Sequence, residues 1–260
     1  MKKSKVTKIR KELKKVNTVK PKKNLTFKFL ILIFILLILA GDMAYLIINH
    51  KLDVTKVTIK GNTKYKTEEI SKKLNIKNRN IITLSISEIE EKLKVYPYIE
   101  KAITYKKIPN EIFITIEERK PKYYVLNETS NEIVILDKNG IALESMAKDI
   151  FTYEEPLIRG MLFPKKIKYG EKINEVEYSK IVAIDKILTE YTKQNIDRKI
   201  TAIDFDSYKI ILTLNDKLKV VMEETKELEY KIRFLKKILL EVDDAPGKID
   251  MTLESPLYSK

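Results

Sequence analysis

Residues 29–48 read FLILIFILLILAGDMAYLII, a run in which Gly41 and Asp42 are the two positions that are not plainly apolar. An α-helix of about twenty residues is roughly 30 Å long, which matches the hydrocarbon core of a bilayer. A core helix of a soluble domain normally shows a polar face, and the first twelve residues of this run show none. The stretch therefore predicts a transmembrane helix over residues 29–48.

The charges on the two sides of the run differ. Residues 1–24 contain eleven basic side chains and one acid, Glu12, and so carry most of the formal net charge of +14. The residues after Ile48 contain 39 bases and 35 acids and are close to neutral. Because short segments rich in lysine stay in the cytoplasm, we expect residues 1–28 to form a cytoplasmic basic tail. The C-terminal part is then extracytoplasmic, in a single-pass protein of the cell membrane.

A cleaved signal peptide is the competing interpretation, since a basic segment before an apolar run also begins such peptides. The run is nearly twice as long as the usual apolar core of a signal, and residues 49–52 offer no small-x-small cleavage site. An uncleaved anchor is the expectation that fits both features.

The basic pI of about 9.5 comes mainly from the tail. Lysines beside a membrane each gain about 1 kcal/mol from anionic lipid, whereas a nucleic-acid binder needs its bases clustered on a folded domain. We therefore expect membrane lipids, and no nucleic acid, as the partner of the tail. The chain has no cysteine, so the exported part has no disulfides and depends on burial. Its roughly 210 residues suit two domains.

Asp42 is the one charged residue inside the predicted span. Its carboxylate either reaches the outer headgroups or water, or makes a polar contact with another membrane helix. Replacing Asp42 by leucine and measuring the recovery of complexes would separate the two interpretations.

Residues 52–122 show the pattern of a small α+β module. A strand-like segment covers residues 54–60, and Thr67 is the cap candidate of a helix that ends near residue 74. Ser85 and Glu88 have capping-box spacing before a second helix, which Pro97 prevents from continuing. Strand-like segments then cover residues 102–107 and 111–118. The order βααββ predicts a sheet with one face covered by two helices.

Catalytic chemistry has little support in the sequence. The single histidine, His50, follows the apolar run, and cysteine is absent. No glycine-rich phosphate loop and no metal-ligand spacing occurs, so we expect no enzyme activity, cofactor, metal or small-molecule substrate. Glu117 and Glu118 point to opposite faces of a strand and are poorly placed to cooperate as acid and base.

Seven residues of the first module carry a family pattern in their order and spacing. They are Gly61, Asn62, Pro97, Ala102, Pro109, Glu118 and Arg119. With them, the module resembles the POTRA domain of the FtsQ/DivIB family of bacterial cell-division proteins. One departure is the segment 78–80, where the family more often has a glycine.

Residues 123–260 resemble the β-rich domain that follows in the same family. Helices are predicted over 175–192 and 226–241, and strands over 202–205, 208–214, 218–222 and 248–253. Residues 249–251 resemble a late strand of the family, with Thr252 where an arginine often stands.

The resemblance implies that the C-terminal part binds bitopic division proteins of the FtsL and FtsB/DivIC type by strand addition. The partner-binding residues carried over from the family are Ile249, Asp250, Met251, Thr252, Leu253 and Tyr258. The alternative is that this strand is an internal member of the sheet. The implied function is a non-enzymatic divisome scaffold that supports septum formation at the division septum. A membrane-anchored cell-wall enzyme and a POTRA-type chaperone for exported polypeptides are the other two hypotheses.

Overall fold

The structure is a computed structural model that describes residues 25–152, 154–223, 227–253 and 256–259. Most of the predicted basic tail, and with it the expected lipid contacts of residues 1–24, lies outside this part of the chain. The described residues divide into two units between Asp53 and Val54.

The first unit contains helix α1, Leu25–Ile48, which begins four residues before the predicted span and ends at the predicted residue. Its segment Thr26–Ile48 is long and apolar enough to cross a membrane, and no other helix in the described ranges passes the same test. The side chains of this segment are exposed, as those of a lipid-facing helix would be. Asp42 lies within α1, and its role stays a prediction.

The second unit begins with the βααββ module. Strand β1 (Lys56–Lys60) is followed by helices α2 (Thr67–Leu74) and α3 (Ile86–Leu93), and then by strands β2 (Ile99–Lys107) and β3 (Glu111–Glu118). The sheet order is β1-β3-β2, with β1 parallel and β2 antiparallel to β3. Buried side chains of both helices and of the middle strand form the core between the layers: Ile70, Leu74, Ile89, Leu93, Ile112, Ile114 and Ile116. The predicted α+β topology is confirmed.

The two helices begin differently. Ser85 caps α3 as predicted, because its hydroxyl accepts a hydrogen bond from the Glu88 N–H at 3.3 Å. The cap prediction for Thr67 is wrong: Lys66 occupies the cap position of α2 without a side-chain bond, and Thr67 is the first helical residue. The Thr67 hydroxyl instead accepts a hydrogen bond from the Asn62 amide at 3.1 Å.

A nine-stranded sheet makes up the rest of the unit. Its strands are β4 (Pro121–Asn127), β5 (Glu132–Asp137), β6 (Ala142–Ala147), β7 (Leu157–Arg159), β8 (Ile200–Asp206), β9 (Lys209–Leu214), β10 (Leu218–Glu223), β11 (Gly247–Asp250) and β12 (Leu257–Ser259). The order across the sheet is β12-β11-β10-β9-β8-β7-β4-β5-β6. Helices α4 (Glu175–Lys193) and α5 (Leu228–Glu241) pack against it. Their buried residues Ile184 and Ile232 share one core with Leu212 and Val220 of the sheet.

Candidate partner-binding site

The C-terminal edge of the nine-stranded sheet differs from the prediction. Strand β11 ends at Asp250 and has a neighbour on each side: Ile249 pairs with Val220 of β10 in parallel and with Tyr258 of β12 in antiparallel orientation. The predicted edge strand over 248–253 is therefore an internal strand, and β12 is the terminal one. The period-2 alternation of residues 249–253 is common to internal and edge strands, so it could not separate the two.

Two of the predicted contact residues belong to the hydrophobic core. Ile249 is 0% and Met251 is 2% exposed, and both pack in the cluster that contains Ile232 and Leu235 of α5. The Met251 N–H donates to the Val221 carbonyl at 2.8 Å, one residue beyond the end of β11. A partner could not reach these two side chains without unfolding the domain.

Asp250 and Thr252 form the turn that follows β11. The Asp250 carboxylate accepts hydrogen bonds from the hydroxyl of Thr252 at 2.6 Å and from its N–H at 3.1 Å. The hydroxyl bond, followed by the N–H and by Lys248, outweighs the effect of burial and lowers the pKa of Asp250. Thr252 therefore stabilises the bend that directly follows β11.

The ring of Tyr258 lies over Gly247. A Cβ at position 247 would approach the ring to 3.0 Å and the Ser259 carbonyl oxygen to 2.9 Å, so a side chain there would displace β12. The Tyr258 hydroxyl is buried and has no hydrogen-bond partner within the described residues. Because this hydroxyl is buried beside Gly247, a chain added to the outer side of β12 would not contact it directly.

The exposed apolar side chains at this edge are Leu253 and Leu257, which are 57% and 60% exposed. Leu257 was missed by the sequence reasoning, although the Pro256-Leu257-Tyr258 sequence, a proline before two β-compatible residues, was an available signal. No strand pairs with the outer side of β12 in the described ranges. The edge thus combines unpaired backbone groups with two exposed leucines.

The residues of the POTRA-like pattern have structural explanations, beginning with Gly61 and Asn62. Gly61 has φ +85°, and a Cβ there would lie 2.0 Å from the Ile116 carbonyl oxygen, so no other residue fits. The Asn62 amide donates to the Tyr65 carbonyl at 2.8 Å as well as to Thr67. Both residues fix the connection between β1 and α2.

Glu118 and Arg119 act at the end of β3. The Glu118 carboxylate accepts the backbone N–H groups of Thr63 at 2.9 Å and of Lys64 at 3.0 Å. Arg119 reaches into the nine-stranded sheet, where its Nη1 donates to Asp137 at 2.9 Å. The pair is largely buried, with Arg119 16% and Asp137 2% exposed. Arg119 therefore joins the module to the β domain.

A second polar contact joins the same two parts. The Glu144 carboxylate of β6 accepts hydrogen bonds from the Tyr98 hydroxyl at 2.6 Å and from Lys64 Nζ at 2.7 Å. Burial raises the pKa of Tyr98, and the bond to Glu144 raises it further. Burial alone would raise the pKa of Glu144, but its bonds to Lys64 and Tyr98 outweigh this and lower it. The Tyr98 ring packs with Ile135 and Leu143 of the β domain.

Pro97, Ala102 and Pro109 complete the pattern. Pro97 lies beside Gly170 of the β domain, with its Cα 3.5 Å from where a Cβ of residue 170 would be. Ala102 is half-buried opposite Ile116, and Pro109 follows a cis peptide bond in the turn between β2 and β3. The pattern residues thus set the shape of the module and its junction.

The outer edge of β2 is partly covered by its own module. The Thr104 N–H donates to the Glu90 carboxylate of α3 at 3.0 Å, and Lys106 Nζ donates to the Ile82 carbonyl at 3.2 Å. Side chains that occupy an edge in this way discourage strand addition.

The described ranges also contain no group of three or more His, Cys, Asp or Glu side chains that could hold a metal.

Together, one apolar anchor helix, a βααββ module and a β domain whose terminal strand β12 has no outer neighbour among the described residues define a membrane-anchored POTRA protein. Residues 52–119 match the family model described as POTRA domain, FtsQ-type. The chain is 26% identical over 196 residues to Cell division protein DivIB of Clostridium tetani, covering 75% of this chain and 72% of that relative. The DivIB of Clostridium acetobutylicum is 24% identical over 211 residues (80% and 82% coverage). The DivIB of Clostridium botulinum strain Hall is 31% identical over 138 residues (53% and 48%). The chain belongs to the FtsQ/DivIB family of cell-division proteins.

Proposed function

We propose that this protein is a non-enzymatic, single-pass scaffold of the divisome that binds bitopic division proteins of the FtsL and FtsB/DivIC type along strand β12. The observation that carries the proposal is the terminal position of β12 in the sheet, with its outer side unpaired among the described residues. A partner segment that adds there forms backbone hydrogen bonds, which supply affinity. Leu253 and Leu257 then contribute apolar contact area.

Membrane anchoring strengthens such binding. Two proteins that span the same bilayer meet at an effective concentration far above their average concentration in the cell, so a short strand pairing suffices. The proposed orientation places the basic tail in the cytoplasm and the two folded parts outside, because the net positive charge is concentrated before α1. The septum is the proposed site of action, in keeping with the cell-division names of the relatives.

The chaperone hypothesis receives less support than the scaffold. A POTRA module that handled many extended peptides would need an accessible strand edge, and Glu90 and Lys106 occupy part of the edge of β2. The enzyme hypothesis has no specific observation in its favour.

The test uses the full chain in detergent or nanodiscs and measures capture of purified FtsL-type and FtsB/DivIC-type partners. Leu257→Asp places a charge on the proposed edge, and we expect capture to weaken by about tenfold or more, since burying an apolar side chain contributes about 1.5–3 kcal/mol. Val176→Asp is the matched control, because Val176 is 70% exposed in the first turn of α4 and lies outside the C-terminal edge.

Equal capture by the two variants would refute the assignment to β12. Peptidoglycan hydrolysis by the purified full chain would refute the non-enzymatic part of the proposal.

A further inference from the structure

One end of the POTRA module is built from three segments that meet where the chain enters it. The Val54 N–H donates to the Arg79 carbonyl at 2.9 Å, and the Asn78 N–H donates to the Val54 carbonyl at 2.9 Å. On the other side, the Thr55 N–H donates to the Asn110 carbonyl at 3.0 Å. Residues 54–56, 77–79 and 105–111 therefore form one continuous surface, which we name the basic end.

Positive charge is concentrated on this surface. It carries five bases against one acid, Glu111: Lys56, Lys77, Arg79, Lys106 and Lys107. Glu111 is shared between Lys56 at 3.7 Å and Lys107 at 3.4 Å, so it neutralises at most one of them. Arg79 also lies 3.6 Å from Glu88 of α3. The surface keeps a net positive charge after these pairs are counted.

Apolar side chains are exposed among the bases. Within the basic end, Ile108 at the β2–β3 turn is 57% exposed and Tyr105 is 51% exposed. The Tyr105 ring stacks on Phe113 with the centroids 5.1 Å apart, and Lys107 Nζ lies 5.7 Å from the centre of the Phe113 ring. Lysine beside aromatic and aliphatic side chains is the composition of protein surfaces that rest in the interface of a bilayer.

The covalent chain keeps this surface near the membrane. Five residues, 49–53, separate the last residue of α1 from Val54. Even a fully extended chain of that length spans only about 20 Å. Electrostatic attraction to a charged surface acts over about 10 Å at ordinary salt. The short connection therefore keeps the bases of the basic end close to the zone in which anionic lipid attracts them.

We propose that the basic end binds anionic phospholipid headgroups of the membrane that holds α1, with Ile108 and Tyr105 entering the headgroup region. The bases supply the attraction and the apolar side chains the contact. The opposite end of the module carries the junction to the β domain, where Glu118 and Glu144 are engaged in hydrogen bonds. The distribution of charge along the module therefore favours contact of the basic end, and not of the junction end, with anionic lipid.

The absence of cysteine from the chain makes a site-specific test direct. Ile108→Cys in the full chain is labelled with an environment-sensitive fluorophore and placed in nanodiscs of phosphatidylcholine with or without phosphatidylglycerol. We expect a blue-shifted emission and quenching by headgroup-labelled lipid when phosphatidylglycerol is present, and a loss of both at high salt because screening weakens the attraction. The same label at Val176→Cys serves as the control and should stay in water in either lipid.

Charge variants separate lipid binding from simple proximity. Lys56→Gln, Lys77→Gln and Lys107→Gln together should lower the ratio of membrane-bound to water-exposed label by about a hundredfold, since each lysine near an anionic surface contributes a factor of about five. The matched control replaces three exposed lysines of the β domain, Lys138, Lys186 and Lys219, and should leave the ratio unchanged.

A label at position 108 that reports water in both lipids would overturn the proposal. So would protection that appears only when a division protein is added, since the surface would then be a protein interface. Neither outcome touches the assignment of β12, which the capture assay tests separately.

Discussion

Replacing Arg119 by methionine removes the charge that joins the POTRA module to the β domain and leaves the Asp137 carboxylate buried. Removing one partner of a fully buried ion pair costs about 3–5 kcal/mol. Asp137 keeps the backbone N–H groups of Asn139 and Ile141, each at 2.8 Å, and Arg119 is 16% exposed. We therefore expect a smaller loss, about 2–3 kcal/mol in the free energy of unfolding.

The assay is urea unfolding of the full chain in detergent, followed through the near-ultraviolet circular dichroism of its tyrosines. The chain has 14 tyrosines and no tryptophan, and Tyr65, Tyr96 and Tyr98 form edge contacts beside the junction. A loss of about 2–3 kcal/mol lowers the midpoint by about 1 M urea for a domain of this size.

A double-mutant cycle isolates the pair. Asp137→Asn keeps an oxygen for the two N–H groups of the turn, so the double variant with Arg119→Met should lose less stability than the sum of the single variants. The matched control is Arg159→Met within the β domain, whose two contacts with Asp204, at 2.5 and 3.0 Å, are more exposed and should contribute about 1 kcal/mol. Additive single variants, or equal losses for Arg119→Met and Arg159→Met, would refute the reasoning.

Three further predictions concern other parts of the chain. Gly61→Ala should destabilise the protein by at least about 2 kcal/mol, because of the positive φ and the approach to the Ile116 carbonyl, whereas Gly41→Ala, with nothing within 4 Å, should leave the thermal midpoint unchanged. Asn174→Ala should cost about 1 kcal/mol in urea unfolding, because the Asn174 side chain accepts the Glu177 N–H at 2.9 Å and caps α4. The folded state lowers the pKa of Glu144, so its contribution is present above the ordinary value of 4.5 and is lost as the pH falls below it. Glu144→Gln should therefore flatten the acid limb of a stability–pH profile.

Local patterns predicted the POTRA module well. Strand β3 has the predicted bounds because Ile112, Ile114 and Ile116 alternate with polar residues around a clear turn. Strand β2 begins at Ile99 rather than at 102, with an irregular register between Ile99 and Lys101 that interrupts the alternation. A periodic pattern therefore locates a regular strand better than one with a bulge.

The candidate site depended on long-range pairing and was predicted less well. Ile249 and Met251 were chosen from a family resemblance and an alternating pattern, and both are core residues. Their burial follows from the parallel pairing of β11 with β10, which brings together residues about 29 positions apart, such as Val220 and Ile249. No local signal reports that pairing, nor the addition of Leu257–Ser259 on the other side.

The fold places the two proposed binding surfaces far apart within one unit. The junction residues Asp137 and Glu144 belong to β5 and β6, at the opposite end of the sheet from β12. Eight inter-strand steps of about 4.8 Å separate β6 from β12, or roughly 38 Å. The buried Arg119–Asp137 pair and the Tyr98–Glu144 bond oppose rotation at the junction. The sheet itself would therefore fix the position of a division protein bound on β12 relative to the basic end. Arg119, a residue of the POTRA-like pattern, would then contribute to the assembly of division proteins by holding the junction, without touching any partner.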